Sequence, residues 1–214
     1  MYFDDVMLNE KIVAIIRGVD AKKTIQAVQS LYDGGVRLAE ITFNQSRPET
    51  FCETAQVIEA VARAFEGKML IGAGTVVSVD LVELVAKAKG RFIITPNVNL
   101  DVISRALDRS LVPMPGAMTP TEIMTAHDAG CPFIKLFPAV NLGTDYVKNV
   151  RAPLSHVRLL AVGGIDTKNI LDYFAAGCVG AGIGSSLVNS KLVDSGNFEQ
   201  ITKNARDLVQ LAKK

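Results

Sequence analysis

The strongest constraint on this chain is a repeating unit. A short β-rich apolar run gives way to a polar or glycine-bearing turn, then a helical pattern, then another turn. The runs occupy residues 12–17, 36–42, 69–72, 92–96, 111–114, 133–137, 157–162 and 179–184, eight in all. Helical patterns fill the intervals, at 21–33, 47–65, 79–89, 100–109, 119–129, 144–150, 167–176 and 197–213. Strict alternation predicts parallel strands covered by helices. Near-continuous apolar strands belong to a sheet buried on both faces. Eight such units predict an α/β fold, a (β/α)8 TIM barrel. An open doubly wound sheet is the alternative, but the first strand ends Arg17-Gly18-Val19-Asp20 and carries no G-x-G-x-x-G turn. Residues 2–9 are expected to form a short helix closing the bottom of the barrel.

Local signals support these boundaries. Thr119-Pro120 sets a capping hydroxyl before a proline at the first helical position. Asp166 is expected to cap a helix beginning near Thr167 in the same way. Gly34-Gly35, Gly130 and Gly177 stand where helices should stop. No linker or low-complexity tract divides residues 1–214, which are read as one domain.

Composition narrows the function. Lys+Arg 23 against Asp+Glu 22 leaves +1, so no basic excess points to nucleic acid. No apolar run approaches the ~20 residues that span a bilayer, and the first ten residues lack a signal-peptide pattern. Three widely spaced cysteines fit reduced thiols in a cytoplasmic protein. His127 and His156 lie away from strand carboxyl ends, and no ligand spacing points to a metal.

In such barrels the chemistry sits at the carboxyl ends of the strands, and side chains alternate inward and outward. In the sixth run Ile134 and Leu136 suit the helix side, which turns Phe133, Lys135 and Phe137 inward. Burial lowers an amine's pKa, and a neutral amine attacks carbonyls. The alternative is a lysine reaching out to solvent. In the second run Ala39 and Ile41 face the helices, which turns Leu38, Glu40 and Thr42 inward. Glu40 and Lys135 then form an acid–base pair, or alternatively a structural ion pair. Arg17 offers a permanent cation at the mouth, or is a plain surface arginine. Gly72-Ala-Gly74-Thr75 allows close ligand approach, with the Thr75 hydroxyl free to bond a carboxylate. Thr95-Pro96 and Pro115-Gly116 could shape the walls. Gly163-Gly164 and Gly182-Ile-Gly184-Ser185-Ser186 end the last two strands, and their amides suit a phosphate. Tight turns are the other reading of these glycines.

Together Glu40-Ile-Thr-Phe, Gly72-Ala-Gly-Thr-Val, Phe133-Ile-Lys-Leu-Phe-Pro-Ala and Gly163-Gly-Ile resemble the 2-keto-3-deoxy-6-phosphogluconate (KDPG) and 4-hydroxy-2-oxoglutarate (KHG) aldolase family, in order, over about residues 11–188. The resemblance implies a class I aldolase in carbohydrate metabolism, with Lys135 as Schiff-base lysine and Glu40 as general acid/base. It implies that Thr75, Pro96 and the backbone near Gly74 hold the pyruvyl carboxylate, and that Gly163, Gly164, Gly184 and Ser185 hold a distal phosphate. It further implies a cytoplasmic homotrimer without metal or cofactor, acting on a small 2-oxo acid. Many members carry an arginine four residues after the glutamate, where this chain has Asn44; Arg17 is inferred to replace its charge. That departure keeps a galactonate-configured or non-phosphorylated substrate open. Two rivals are another phosphate-binding barrel enzyme (an epimerase or decarboxylase) and a non-catalytic phosphometabolite-binding barrel.

Overall fold

The computed structural model describes residues 2–213. Its elements, in chain order, are α1 (Phe3–Glu10), β1 (Ile12–Ile16), α2 (Ala21–Asp33), β2 (Leu38–Thr42), α3 (Phe51–Ala64), β3 (Leu70–Gly74) and α4 (Val79–Lys87). There follow β4 (Phe92–Ile94), α5 (Leu100–Asp108), β5 (Val112–Met114), β6 (Gly116–Ala117), α6 (Pro120–Asp128), β7 (Ile134–Leu136) and α7 (Ala139–Arg151). The last are β8 (Leu159–Val162), α8 (Ile170–Ala175), β9 (Gly180–Ile183), α9 (Ser190–Asp194) and α10 (Phe198–Ala212). Among the described residues no helix is long and apolar enough to cross a membrane.

One parallel sheet runs β5-β4-β3-β2-β1-β9-β8-β7-β6. Ala14 of β1 stands opposite both Ala39 of β2 and Ile183 of β9. First and last strands therefore pair, as barrel closure requires. The remaining discontinuity falls inside the fifth run. Pro115 has no N–H to give the ladder, so that strand divides into β5, which pairs with β4, and β6, which pairs with β7. The Lys135 N–H donates to the Pro115 carbonyl at 2.9 Å, and the Thr95 N–H to the Met114 carbonyl at 3.4 Å. The eight expected strands are thus nine segments in a nearly closed barrel.

Alternation along the strands sorts the apolar side chains into two cores. Ala39, Ile41, Ile134 and Leu136 pack outward against the helices. Val13, Leu38, Leu70, Phe92, Met114, Phe133 and Leu160 fill the interior. The α1 helix plugs the amino-terminal end, as expected of a short helix there. Its Phe3 ring lies 5.4 Å from Phe92 and 6.0 Å from Phe133, centroid to centroid. Arg158 ties the plug down with a 2.7 Å bond to Asp4.

Most of the punctuation holds. Thr119 and Glu122 form a capping box at the start of α6. Gly35, Gly130 and Gly177 take φ of 99°, 90° and 111°, the left-handed region that stops a helix. Asp166 makes a capping bond of the expected kind, its carboxylate accepting the Lys168 N–H at 2.7 Å and its carbonyl the Ile170 N–H at 3.1 Å, but the turn it opens is not yet α-helical. The helix begins only at Ile170, after Asn169. The helix expected at 144–150 starts earlier, at Ala139, and Gly143 breaks it with φ 79°.

Candidate active site

Going round the barrel from β2 through β1, β9 and β8 to β7 takes four steps in a ring of eight, so Glu40 and Lys135 project from opposite walls. Glu40 is 2% exposed and Lys135 8%. Both line one cavity of about 610 Å³, with Arg17, Thr75, Gly163, Gly164, Gly184 and Ser185. The residues expected to act on or bind substrate therefore meet in a single space apart from Pro96, and the wall candidates Thr95, Pro115 and Gly116 do not line it either. The Pro96 carbonyl instead packs on Gly116, where a Cβ would lie 2.5 Å from it.

Glycine makes room for the carboxyl group. A Cβ on Gly74 would lie 2.6 Å from Glu40 Oε1 and 3.0 Å from Oε2, so the carboxyl rests on bare backbone. Oε2 is buried and has no hydrogen-bond partner among the described residues. An orphaned buried oxygen costs about 1–3 kcal/mol and calls for an explanation. Here it faces the cavity that Lys135 also lines.

Burial pushes the Glu40 carboxyl from 4.5 up to about 7, against the pull of Lys135 and, more weakly, of Arg17. Burial likewise pushes the Lys135 amine below the ordinary ammonium range; Glu40 opposes this and Arg17 adds to it. The Phe137 ring, 4.4 Å from Nζ, favours the charged amine, but desolvation outweighs it. Glu40 and Lys135 make no direct ion pair among the described residues. They influence each other across the cavity without forming a structural bridge.

Thr75 sits at φ 57°, a rare conformation for a β-branched residue. The Gln45 side-chain amide holds it there, donating to the Thr75 carbonyl at 2.9 Å. Strain maintained beside a cavity is a mark of a working site. Asn44, two residues beyond β2, lies outside the cavity and lines a separate groove with Arg47. Arg17 is thus the one guanidinium among the described cavity-lining residues.

At the other end of the cavity Gly163 and Gly164 take φ of 96° and 77°. A Cβ on Gly164 would lie 2.5 Å from Val140 Cγ1. Beside Gly184 a Cβ would meet nothing within 4 Å, which leaves space for a ligand. Asp166, Ser186, Asn189 and Ser190 also line this end. Sequence reasoning placed Ser186 in the strand-end motif, read Asp166 only as a helix cap and passed over Asn189 and Ser190. The polar run Ser185-Ser186…Asn189-Ser190 was a signal, but loop residues follow no alternation that would aim them. His127 and His156 stack on each other at 5.0 Å, outside the cavity.

A parallel barrel with a burial-tuned amine and carboxyl in one cavity at its strand ends defines an enzyme of the TIM-barrel class. Comparison with known proteins carries this further. The family profile described as KDPG and KHG aldolase matches residues 3–204, and the chain belongs to that family of aldolases, which are lyases. It is 37% identical over 177 residues to the 2-dehydro-3-deoxy-6-phosphogalactonate aldolase of Escherichia coli strain K12, covering 82% of this chain and 83% of the relative. It is 30% identical over 214 residues to the KHG/KDPG aldolase of the same strain, covering 98% and 96%. A solved structure described as native KDPGal superposes with a TM-score of 0.84 at 34% identity, covering 94% of this chain and 93% of the other.

Proposed function

We propose that this chain cleaves a phosphorylated six-carbon 4-hydroxy-2-oxo acid through a Schiff base on Lys135, releasing pyruvate and glyceraldehyde 3-phosphate. The observation that carries this is the buried amine of Lys135, its pKa lowered by burial, in one cavity with the Glu40 carboxyl, whose Oε2 is buried and has no partner among the described residues. Lys135 attacks the C2 ketone and loses water, giving an iminium ion. Glu40 takes the C4 hydroxyl proton, directly or through a water. The C3–C4 bond breaks, its electron pair enters the iminium as an enamine, and the aldehyde leaves. Glu40 returns the proton to C3, and water frees pyruvate. A carboxyl near pH 7 can both accept and return a proton under neutral conditions. Arg17 and Thr75 hold the pyruvyl carboxylate, and amides around Gly163, Gly164, Gly184 and Ser185 hold the phosphate.

Two features favour the galactonate epimer as the better substrate. The higher identity is to a relative with that name, and Asn44 leaves no arginine after β2 to reach the cavity. The KDPG epimer and 4-hydroxy-2-oxoglutarate are the expected lesser substrates. A cytoplasmic homotrimer completes the reading, and light scattering tests the trimer.

The decisive experiment is borohydride reduction in the presence of pyruvate, followed by peptide mass mapping. An adduct on Lys135 that disappears in Lys135→Ala is the expected result. A folded protein that traps no pyruvate would refute the covalent mechanism. Pyruvate release from each epimer, followed with coupled lactate dehydrogenase, then ranks the substrates.

A further inference from the structure

The loop after β8 is bonded by the side chain of Asn169, a residue outside the cavity wall. Two successive carbonyls of this loop are tied outward. Gly163 O accepts the Val140 N–H at 3.1 Å. Gly164 O accepts the Asn169 Nδ2 amide at 2.9 Å. A trans peptide points its N–H opposite to its C=O. The Gly164 and Ile165 N–H groups are therefore turned away from α7 and from Asn169. Both residues line the cavity, and neither N–H has a partner among the described residues. The other end of the same amide does complementary work. Asn169 Oδ1 accepts the Asp166 N–H at 3.0 Å, so the third amide in the run is occupied. Ser186 Oγ donates to Ile165 O at 3.1 Å and ties this loop to the one after β9.

Building on the phosphate subsite proposed above, we infer that Asn169 is a positioning residue for substrate recognition. Its amide presents the Gly164 and Ile165 N–H groups to the phosphoryl oxygens and withholds that of Asp166. No other side chain bonds the backbone of residues 163–164 among the described residues. Left-handed φ at both glycines gives the loop freedom to rotate once this clamp is gone. The role is distinct from chemistry, because Lys135 and Glu40 belong to other strands.

Asn169→Ala tests this through a split between substrates. KM for the phosphorylated substrate and Ki for inorganic phosphate should each rise about three- to tenfold, the worth of one or two positioning hydrogen bonds. Saturating kcat, and kcat/KM for the non-phosphorylated 4-hydroxy-2-oxoglutarate, should stay within about twofold of the parent by the same measure. Equal losses on both substrates would make Asn169 a merely structural residue and overturn the inference, as would an unchanged KM. The unmodified protein supplies a second test that needs no variant to fold. Titration with inorganic phosphate should move the amide-proton resonances of Gly164 and Ile165 downfield and leave that of Asp166 in place. Movement at Asp166 with none at the other two would overturn the assignment. If the unmodified protein binds no phosphate at all, the phosphate subsite itself is wrong, and that failure shows before any variant is made.

Discussion

Glu40→Gln replaces the buried carboxyl by a neutral group of the same shape, and its effect on stability should depend strongly on pH. Burial holds the folded-state pKa at about 7 against an ordinary 4.5. Between those values the folded chain keeps a proton that the unfolded chain has lost. Raising the pH through this window therefore favours unfolding, and the loss is complete above pH 7. The interval corresponds to about 3 kcal/mol. The amide introduced by Glu40→Gln keeps an unpartnered polar atom where the carboxyl had one, but that cost does not vary with pH. The quantity to follow is thus the difference between the two unfolding curves. Parent stability should fall relative to Glu40→Gln by about 3 kcal/mol from about pH 4.5 to about pH 8, while turnover collapses in the variant. Urea unfolding followed by circular dichroism measures this without tryptophan, which the chain lacks. Protein concentration must be fixed across the series, since any assembly shifts apparent stability. Lys135 titrates with Glu40 as a unit, so the difference reports the step of the pair. A flat difference across that range would mean a carboxylate ionised throughout, and would refute Glu40 as a group that gives and takes protons near neutrality.

Gly74→Ala sets a Cβ 2.6 Å from Glu40 Oε1; displacing the carboxyl by even an ångström should lower kcat about a hundredfold, which steady-state kinetics on a folded variant would check. Arg17→Gln removes a charge that holds both Glu40 and Lys135 down, so the acidic limb of the kcat/KM profile should move to higher pH while KM rises. Phe3→Ala empties the plug between Phe92 and Phe133 and should cost about 3 kcal/mol of stability by urea unfolding, with kcat at room temperature unchanged because the plug lies at the end away from the cavity.

The inward placing of Glu40 and Lys135 was legible because strands obey a period of two. Once Ile134 and Leu136 were assigned to the helix side, Lys135 could only point inward, and Ala39 and Ile41 did the same for Glu40. The inner and outer cores follow that division residue by residue. What escaped reading lies where no period operates. Pro115 was read only as a wall residue, and only the pairing of β5 and β6 with different neighbours shows that it divides the fifth strand. Asp166 carries the composition of a helix cap and does cap the turn at 167–169, yet the helix itself begins only at Ile170. Asn169 was invisible for the same reason: an amide that clamps a loop leaves no pattern in the residues around it.

The arrangement sets stability against chemistry at specific atoms. A buried carboxyl with one unbonded oxygen, an amine held below its ordinary pKa and a threonine in the left-handed region all destabilise the fold. Each is tolerated because rigid structure surrounds it. Gly74 and its strand neighbours fix the seat of Glu40, Gln45 pins Thr75, and the plugged interior below holds the strands at a constant spacing. Relieving any one of these strains should therefore stabilise the chain while slowing it. The pH-dependent stability of Glu40→Gln then becomes the sharpest reporter. It weighs in the same protein how much folding free energy is given up for a carboxyl that titrates where the chemistry needs it.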